Sequence, residues 1–287
     1  MDQAATLDAR LAELRGIIAE VRDPEIDETV ADLDLIVDLN IEGGKVTATL
    51  RMPTFWCPAN FVWLMAEDIR ERILALSWVS DFELRLVDHF AAAEISQGVS
   101  LRHGFDAAFP RLAEGGLRPL RRDFAAKGML MRQAKLIQAL RGHGLSDAEI
   151  CAANVAEMDS MASSDPLKQL WQAVQERRQS AELDDTPDAP AICDAAGTRI
   201  SDLSQHLREV RRVVTNAAAN GEMCRMLVAA RRERGSTCRA FPPHGPYGSA
   251  SVPAVAGQYP DSRQEGFRDE HPKISDDAHH ASGEGSR

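Results

Sequence analysis

Paired cysteines, long apolar runs and aromatic side chains are scarce or missing in this chain of 287 residues. Its five cysteines are odd in number and scattered, and no two of them form a Cys-x-x-Cys pair. This spacing excludes a disulfide framework and the paired-ligand pattern of a structural zinc site, so reduced thiols are expected. No apolar run approaches the roughly 18 to 20 residues that a membrane helix needs. The sequence therefore predicts a protein without disulfides and without a membrane span.

Basic residues are also in the minority, and the formal net charge is −11. This balance excludes nucleic acid and an anionic membrane surface as the main partner. The first five residues lack both the basic region and the apolar core of a signal peptide. We therefore expect a cytoplasmic protein.

The first third of the chain alternates between helical and strand periodicity. Apolar residues recur at helical spacing over residues 6–21 and alternate with polar ones over 33–41 and 46–52. Gly43-Gly44 separates the two alternating runs, which is typical of a tight hairpin. A helix over residues 59–76 and a third strand over 82–86 follow. The pattern predicts a helix-hairpin-helix-strand sandwich whose sheet is covered on one side by two helices.

The strongest chemical feature is the cysteine in Thr54-Phe55-Trp56-Cys57-Pro58, between the second strand and the second helix. Pro58 suits the first helical turn, which places Cys57 at the N-cap or next to it. The helix dipole and free backbone N–H groups there stabilise a thiolate, which is a better metal ligand and nucleophile than a thiol. The alternative is that Cys57 is a small apolar residue buried among its aromatic neighbours.

Four elements in this region resemble the small domain of the iron-sulfur cluster assembly family, which includes SufT-type and PaaD-type bacterial proteins. They are Asp23-Pro24-Glu25, the strand start Asp32-Leu33-Asp34-Leu35-Ile36, the Gly43-Gly44 hairpin and the Thr54–Pro58 stretch, all within about residues 7–90. The sequence departs from the family pattern at Asp34, where a glycine is usual. Aspartate adopts left-handed backbone geometry better than most residues, so we expect the fold to survive.

The resemblance implies a metal-centre maturation factor that helps to deliver an iron-sulfur cluster or iron, held transiently, to a client protein. It assigns the metal-binding thiol to Cys57 and a functional role to Asp23, Glu25 and Thr54. The alternative for these three is local: the carboxylates cap and solvate a turn, and the hydroxyl bonds nearby backbone. The downstream cysteine cluster of the PaaD-type branch has no counterpart here.

Beyond residue 99 the composition predicts a mainly α-helical region. Helices are indicated at residues 105–114, 117–141, 146–158, from 166 onward, 201–212 and 216–234. The helix over 146–158 begins with a capping box of Ser146 and Glu149. Residues 184–190 resemble a linker, and the stretch from 235 is disordered by composition. The predicted fold class is thus α+β, with an α/β domain at 1–95, a helical region at 100–234 and a disordered tail at 235–287.

Two cysteines of the helical region, Cys224 and Cys151, are candidates for a second thiolate, although a buried apolar role is the simpler interpretation for both. Because four ligands are usual for a cluster, one or two thiolates favour transient or intersubunit binding over storage. The helical region would recognise the client, for example a multi-component metal-dependent oxygenase, and other assembly factors and a homodimer are further expected partners.

Two other functions compete with a non-enzymatic maturation factor. A thiol-dependent enzyme would use Cys57 as its nucleophile and needs a base, for which His89 and His103 are the candidates. A purely structural adaptor would keep Cys57 in its core. A helix-turn-helix at residues 134–158 is disfavoured by the acidic charge.

Overall fold

The computed structural model of the chain describes residues 3–110 and 116–237. Within that part the molecule combines a three-stranded sheet with helices, which confirms the predicted α+β class. The predicted tail lies, from residue 238 onward, outside the described residues, as does Cys238. The division into domains at 1–95 and 100–234 stays a prediction.

The α/β part consists of the sheet and three helices. These elements are α1 (Gln3–Ile18), β1 (Ile36–Glu42), β2 (Lys45–Arg51), α2 (Ala59–Leu74), β3 (Asp81–Val87) and α3 (Ala92–Ser100). β1 and β2 form the predicted antiparallel hairpin, and β3 runs parallel to β2 in the sheet order β1-β2-β3. Helix α3, which the sequence analysis missed, follows β3 and packs on it. Because β2 and β3 are parallel and α2 connects them, the Cys57 loop lies at the end of β2, beside the end of β3.

The start of β1 differs from the strict alternation that the sequence suggests. Ile36 pairs with Leu50 and Asp38 pairs with Thr49, so Val37 forms a bulge. The bulge turns Val37 outward, where 48% of it is exposed, while Leu33 and Leu35 are buried ahead of the strand. Asp34 has a φ of 53°, so the aspartate does adopt the left-handed conformation expected at this position.

The helical part follows after a short helix, α4 (Phe105–Ala108). Its helices are α5 (Arg118–Gly142), α6 (Asp147–Ala152), α7 (Val155–Met161), α8 (Leu167–Ser180) and α9 (Leu203–Thr237). The Ser146/Glu149 capping box is present. The predicted helix over 146–158 is instead two helices, because Asn154 and Glu157 form a second capping box that starts α7.

Two further expectations for the helical part are wrong. Residues 184–190 are not a free linker, since Val155 N–H donates to the Ala189 carbonyl at 2.9 Å and Arg178 donates to the Pro190 carbonyl at 3.0 Å. The helices expected at 201–212 and 216–234 are one continuous helix of 35 residues. Tertiary contacts along α9 therefore override the weak helix formers between Val213 and Asn216.

Buried apolar side chains form two main clusters. The first lies in the α/β part and includes Val46, Leu50, Trp63 and Ile69; the second lies among α5 to α9 and includes Leu136, Ile137, Trp171 and Val174. Helix α9 contributes to both, with Leu203 and Val210 in the second cluster and Ala217 in the first. No helix of the described residues is long and apolar enough to cross a membrane.

Candidate functional site

The Cys57 loop connects β2 to α2. Helix α2 begins at Ala59 with Pro58 as its N-cap, so Cys57 lies directly before the N-cap. No N-cap side chain caps this helix. The Phe61 N–H donates to the Pro58 carbonyl and to Asn60 Oδ1, both at 3.0 Å, and the positive end of the helix dipole lies beside the loop. Cys57 is partly buried, between core and solvent.

Thr54 and His89 fix the loop in different ways. The Thr54 Oγ1 lies 3.2 Å from the Cys57 Sγ, so the hydroxyl can donate a hydrogen bond to an ionised sulfur. His89, only 5% exposed, contacts the carbonyl oxygen of Cys57 through Nε2 at 2.8 Å. Its Nδ1 accepts from the Ala91 N–H at 3.2 Å, so the proton is on Nε2 and Nε2 donates to Cys57. Both ring nitrogens of His89 are thus engaged by backbone, and neither is bonded to the sulfur.

The Asp23-Pro24-Glu25 turn is folded around the Asp23 carboxylate. Asp23 Oδ1 accepts from the Glu25 N–H at 2.9 Å and from the Ile26 N–H at 3.1 Å. Burial raises the pKa of the Asp23 carboxyl, these two bonds act against that rise, and the nearby charges of Glu25 and Glu28 add to it. Glu25 itself is exposed. The local capping role foreseen for Asp23 is therefore real, and it leaves Glu25 pointing into solvent.

Helix α9 carries Cys224 to the same end of the α/β part. Burial raises the pKa of the Cys224 thiol to about 11, and the charges of Asp23, Cys57, Glu25 and Glu28 act on it in the same direction. Cys57 and Cys224 both pack against the first core cluster. All five site residues predicted from the sequence, Asp23, Glu25, Thr54, Cys57 and Cys224, thus lie in one neighbourhood.

The other described cysteines are elsewhere. Cys193 is fully buried in the second core cluster, and Cys151 packs at the edge of that cluster. Burial raises the pKa of both thiols. Among the residues that the structure describes, no group of three or more His, Cys, Asp or Glu side chains is arranged to hold a metal ion.

The sequence pattern predicted neither the aromatic surface around Cys57 nor the residues that pair with α9. Phe55, Trp56 and Phe90 are exposed, with 74% of Trp56 accessible, and the Phe55 and Phe90 rings meet edge to face at 6.4 Å. Two aromatic residues directly before a Cys-Pro step were a visible signal for an exposed apolar patch. No local signal marked the ion pair between Glu28 and Arg225 of α9, because the two residues are 197 positions apart in sequence.

Residues 11–83 match a family model described as iron-sulfur cluster assembly protein. The matched segment runs from within α1 to within β3 and contains Asp23, Glu25, Thr54 and Cys57, whereas Cys224 and the helical part lie outside it. A comparison with curated proteins finds no match for this chain.

Proposed function

We propose, from the premise that residues 11–83 form a domain of the iron-sulfur cluster assembly family, that this chain is a maturation factor for metal centres. It would assist the assembly of an iron-sulfur cluster, or of iron, and its delivery to a client protein. In this proposal the cluster or iron is cargo, and Cys57 is the thiolate that engages it.

The observation that carries the proposal is the position of Cys57. Cys57 is a partly buried thiol directly before the N-terminus of α2, and its sulfur lies 3.2 Å from the Thr54 hydroxyl. Thiolates are the usual protein ligands of iron-sulfur clusters. Because only a few ligands are fixed, coordination positions stay open, and this suits a protein that must release its cargo.

We propose this role in place of a thiol enzyme. An activated nucleophile needs a base within hydrogen-bond reach of the sulfur. His89 is the nearest candidate by sequence, and its two ring nitrogens are engaged by the Cys57 carbonyl and the Ala91 N–H. His103, the other candidate, is exposed after α3.

The client would bind across the Cys57 loop and the helical part. Exposed Phe55, Trp56 and Phe90 give the loop an apolar rim, which is the composition that protein interfaces favour. We keep a multi-component metal-dependent oxygenase as the proposed client class, with other assembly factors and a second copy of this chain as further partners. Co-purification of the full chain with such an oxygenase, compared with a Trp56→Ala variant, tests the interface.

The experiment that tests the metal role is anaerobic reconstitution with iron and sulfide, followed by iron counting and visible absorbance. We expect the wild type to bind stoichiometric iron and Cys57→Ser to bind none. Cys151→Ser is the matched control, because Cys151 is a partly buried cysteine beside the other core cluster. Absence of iron from the wild type would contradict the cargo role and leave an adaptor function.

A further inference from the structure

Three arginines of helix α9 bind residues of the α/β part around the candidate site. Arg225 pairs with Glu28 at 2.5 Å, next to the Asp23 turn. Arg231 Nη1 donates to the Met52 carbonyl at 2.7 Å, five residues before Cys57, and Arg232 pairs with Asp34 at 2.7 Å. The C-terminal half of α9 thus spans from the acidic turn, which carries Asp23, Glu25 and Glu28, to the start of the Cys57 loop.

Cys224 lies on the face of α9 that is turned toward the α/β part. Ala217, Gly221, Cys224, Val228 and Arg231 follow one another at spacings of four and three residues, which defines one stripe of a helix. Ala217 and Val228 on this stripe are buried. A Cβ on Gly221 would lie 2.5 Å from Glu28 Oε1, so the helix backbone approaches the turn closely just one helical turn before Cys224.

The contacts on either side of Cys224 therefore direct its thiol toward the space between the acidic turn and the Cys57 loop. Both cysteines are partly buried and pack on the same core cluster. Along α9, Cys224 lies between Gly221, which meets Glu28 of the turn, and Arg231, which bonds to the Met52 carbonyl before the Cys57 loop.

We propose that Cys57 and Cys224 of one chain together form a two-thiolate site for a thiophilic divalent cation such as Fe²⁺, with α9 supplying the second ligand. This inference rests on the proposed function and deepens it. Each thiol releases one proton to solvent as its sulfur–metal bond forms, and no electron is transferred. Water fills the remaining positions until a client ligand replaces it.

The test is anaerobic titration of the full chain with Co²⁺, a spectroscopic substitute for Fe²⁺ whose thiolate charge-transfer band grows with the number of bound sulfurs. We expect one Co²⁺ per chain in the wild type. Cys224→Ser should lose about half of the band and bind Co²⁺ at least about 10-fold more weakly. Losing a metal ligand should weaken binding at least as much as losing a residue that only supports a ligand. Cys151→Ser should match the wild type.

Three possible results would overturn the single-chain two-thiolate site, and they differ in what they mean for the function proposed for Cys57. If Cys224→Ser and Cys224→Ala keep the wild-type band and affinity while Cys57→Ser loses both, the second thiolate is overturned and the function proposed for Cys57 stands. If the wild type binds no Co²⁺ and no iron, both proposals fail. If mixing Cys57→Ser with Cys224→Ser chains restores the wild-type band, the ligands come from two chains and the single-chain site is overturned.

Discussion

Cys57 is held by its backbone while its sulfur stays partly accessible. His89 donates to its carbonyl oxygen at 2.8 Å, and the Phe90 N–H donates to the Phe55 carbonyl at 3.0 Å, so the segment after β3 fixes the loop from two sides. None of these bonds involves the sulfur. A Cys57→Ser variant should therefore keep the loop conformation, and its loss of metal binding can be assigned to the sulfur itself.

Thr54→Val should slow the reaction of Cys57 with iodoacetamide by about 10-fold at pH 7, because it removes a hydrogen bond that stabilises the ionised sulfur and such bonds contribute about 1.5–3 kcal/mol. The rate can be followed by mass spectrometry of the Cys57 peptide. Thr54→Ser keeps a hydroxyl 3.2 Å from the sulfur and should react like the wild type. Equal rates for Thr54→Val and wild type would contradict this role.

His89→Phe should lower the free energy of unfolding by about 1–3 kcal/mol, since it leaves the part-buried carbonyl of Cys57 and the buried Ala91 N–H without their partner. Chemical denaturation measures the change. His103→Phe is the matched control, because His103 is exposed, and it should change stability by less than about 0.5 kcal/mol. Similar small effects of the two substitutions would show that His89 does not support the loop.

At the scale of elements, the features that depend on residues close together in the sequence could be predicted. The Gly43-Gly44 hairpin and the capping box of Ser146 follow from local chemistry and are present. The left-handed Asp34 also follows from its residue type. The continuity of α9 did not follow, because the residues from Val213 to Asn216 are weak helix formers and suggest a break locally. Contacts with the α/β part favour the long helix, and those contacts join residues far apart in sequence.

Gly221→Ala should fail to stabilise α9, although alanine normally gains about 0.5–1 kcal/mol over glycine inside a helix. The new Cβ would lie 2.5 Å from Glu28 Oε1, so Glu28 must move away from Arg225. Gly16→Ala is the control, since nothing lies within 4 Å of a Cβ at this exposed position of α1. Thermal or chemical unfolding should therefore separate the two variants by about 1 kcal/mol, and equal gains would contradict close packing of α9 on the turn.

At the scale of the whole molecule, a partly buried carboxylate joins the α/β part to the helical part. Asp27 accepts from Arg132 of α5 at 2.8 and 3.1 Å and from Arg177 of α8 at 3.0 Å. Arg22 also donates to the Asp27 carbonyl at 2.6 Å. This cluster holds the turn that carries Asp23 and Glu25 against two helices. The sequence offered no sign of it, because the partners of Asp27 are more than 100 residues away.

Asp27→Asn should lower the free energy of unfolding by about 3–5 kcal/mol at pH 7, because it leaves two arginine charges without their buried partner. Burial opposes ionisation of Asp27, but bonds and charges from Arg132 and Arg177 outweigh it and hold its pKa below the usual 3.8. The ionised carboxylate therefore stabilises the fold above that pH, and its contribution is lost as the pH falls through the lower, folded pKa.

The difference between wild type and Asp27→Asn should consequently be constant near neutral pH and shrink in acid, below the usual pKa of 3.8. Denaturant unfolding of both proteins across this range measures it. Glu182→Gln is the control, because its pair with Arg118 is exposed on the surface and should contribute less than about 1 kcal/mol. A difference that is small, or that does not change with pH, would mean that packing such as the Phe61–Phe124 contact joins the two parts without the Asp27 cluster.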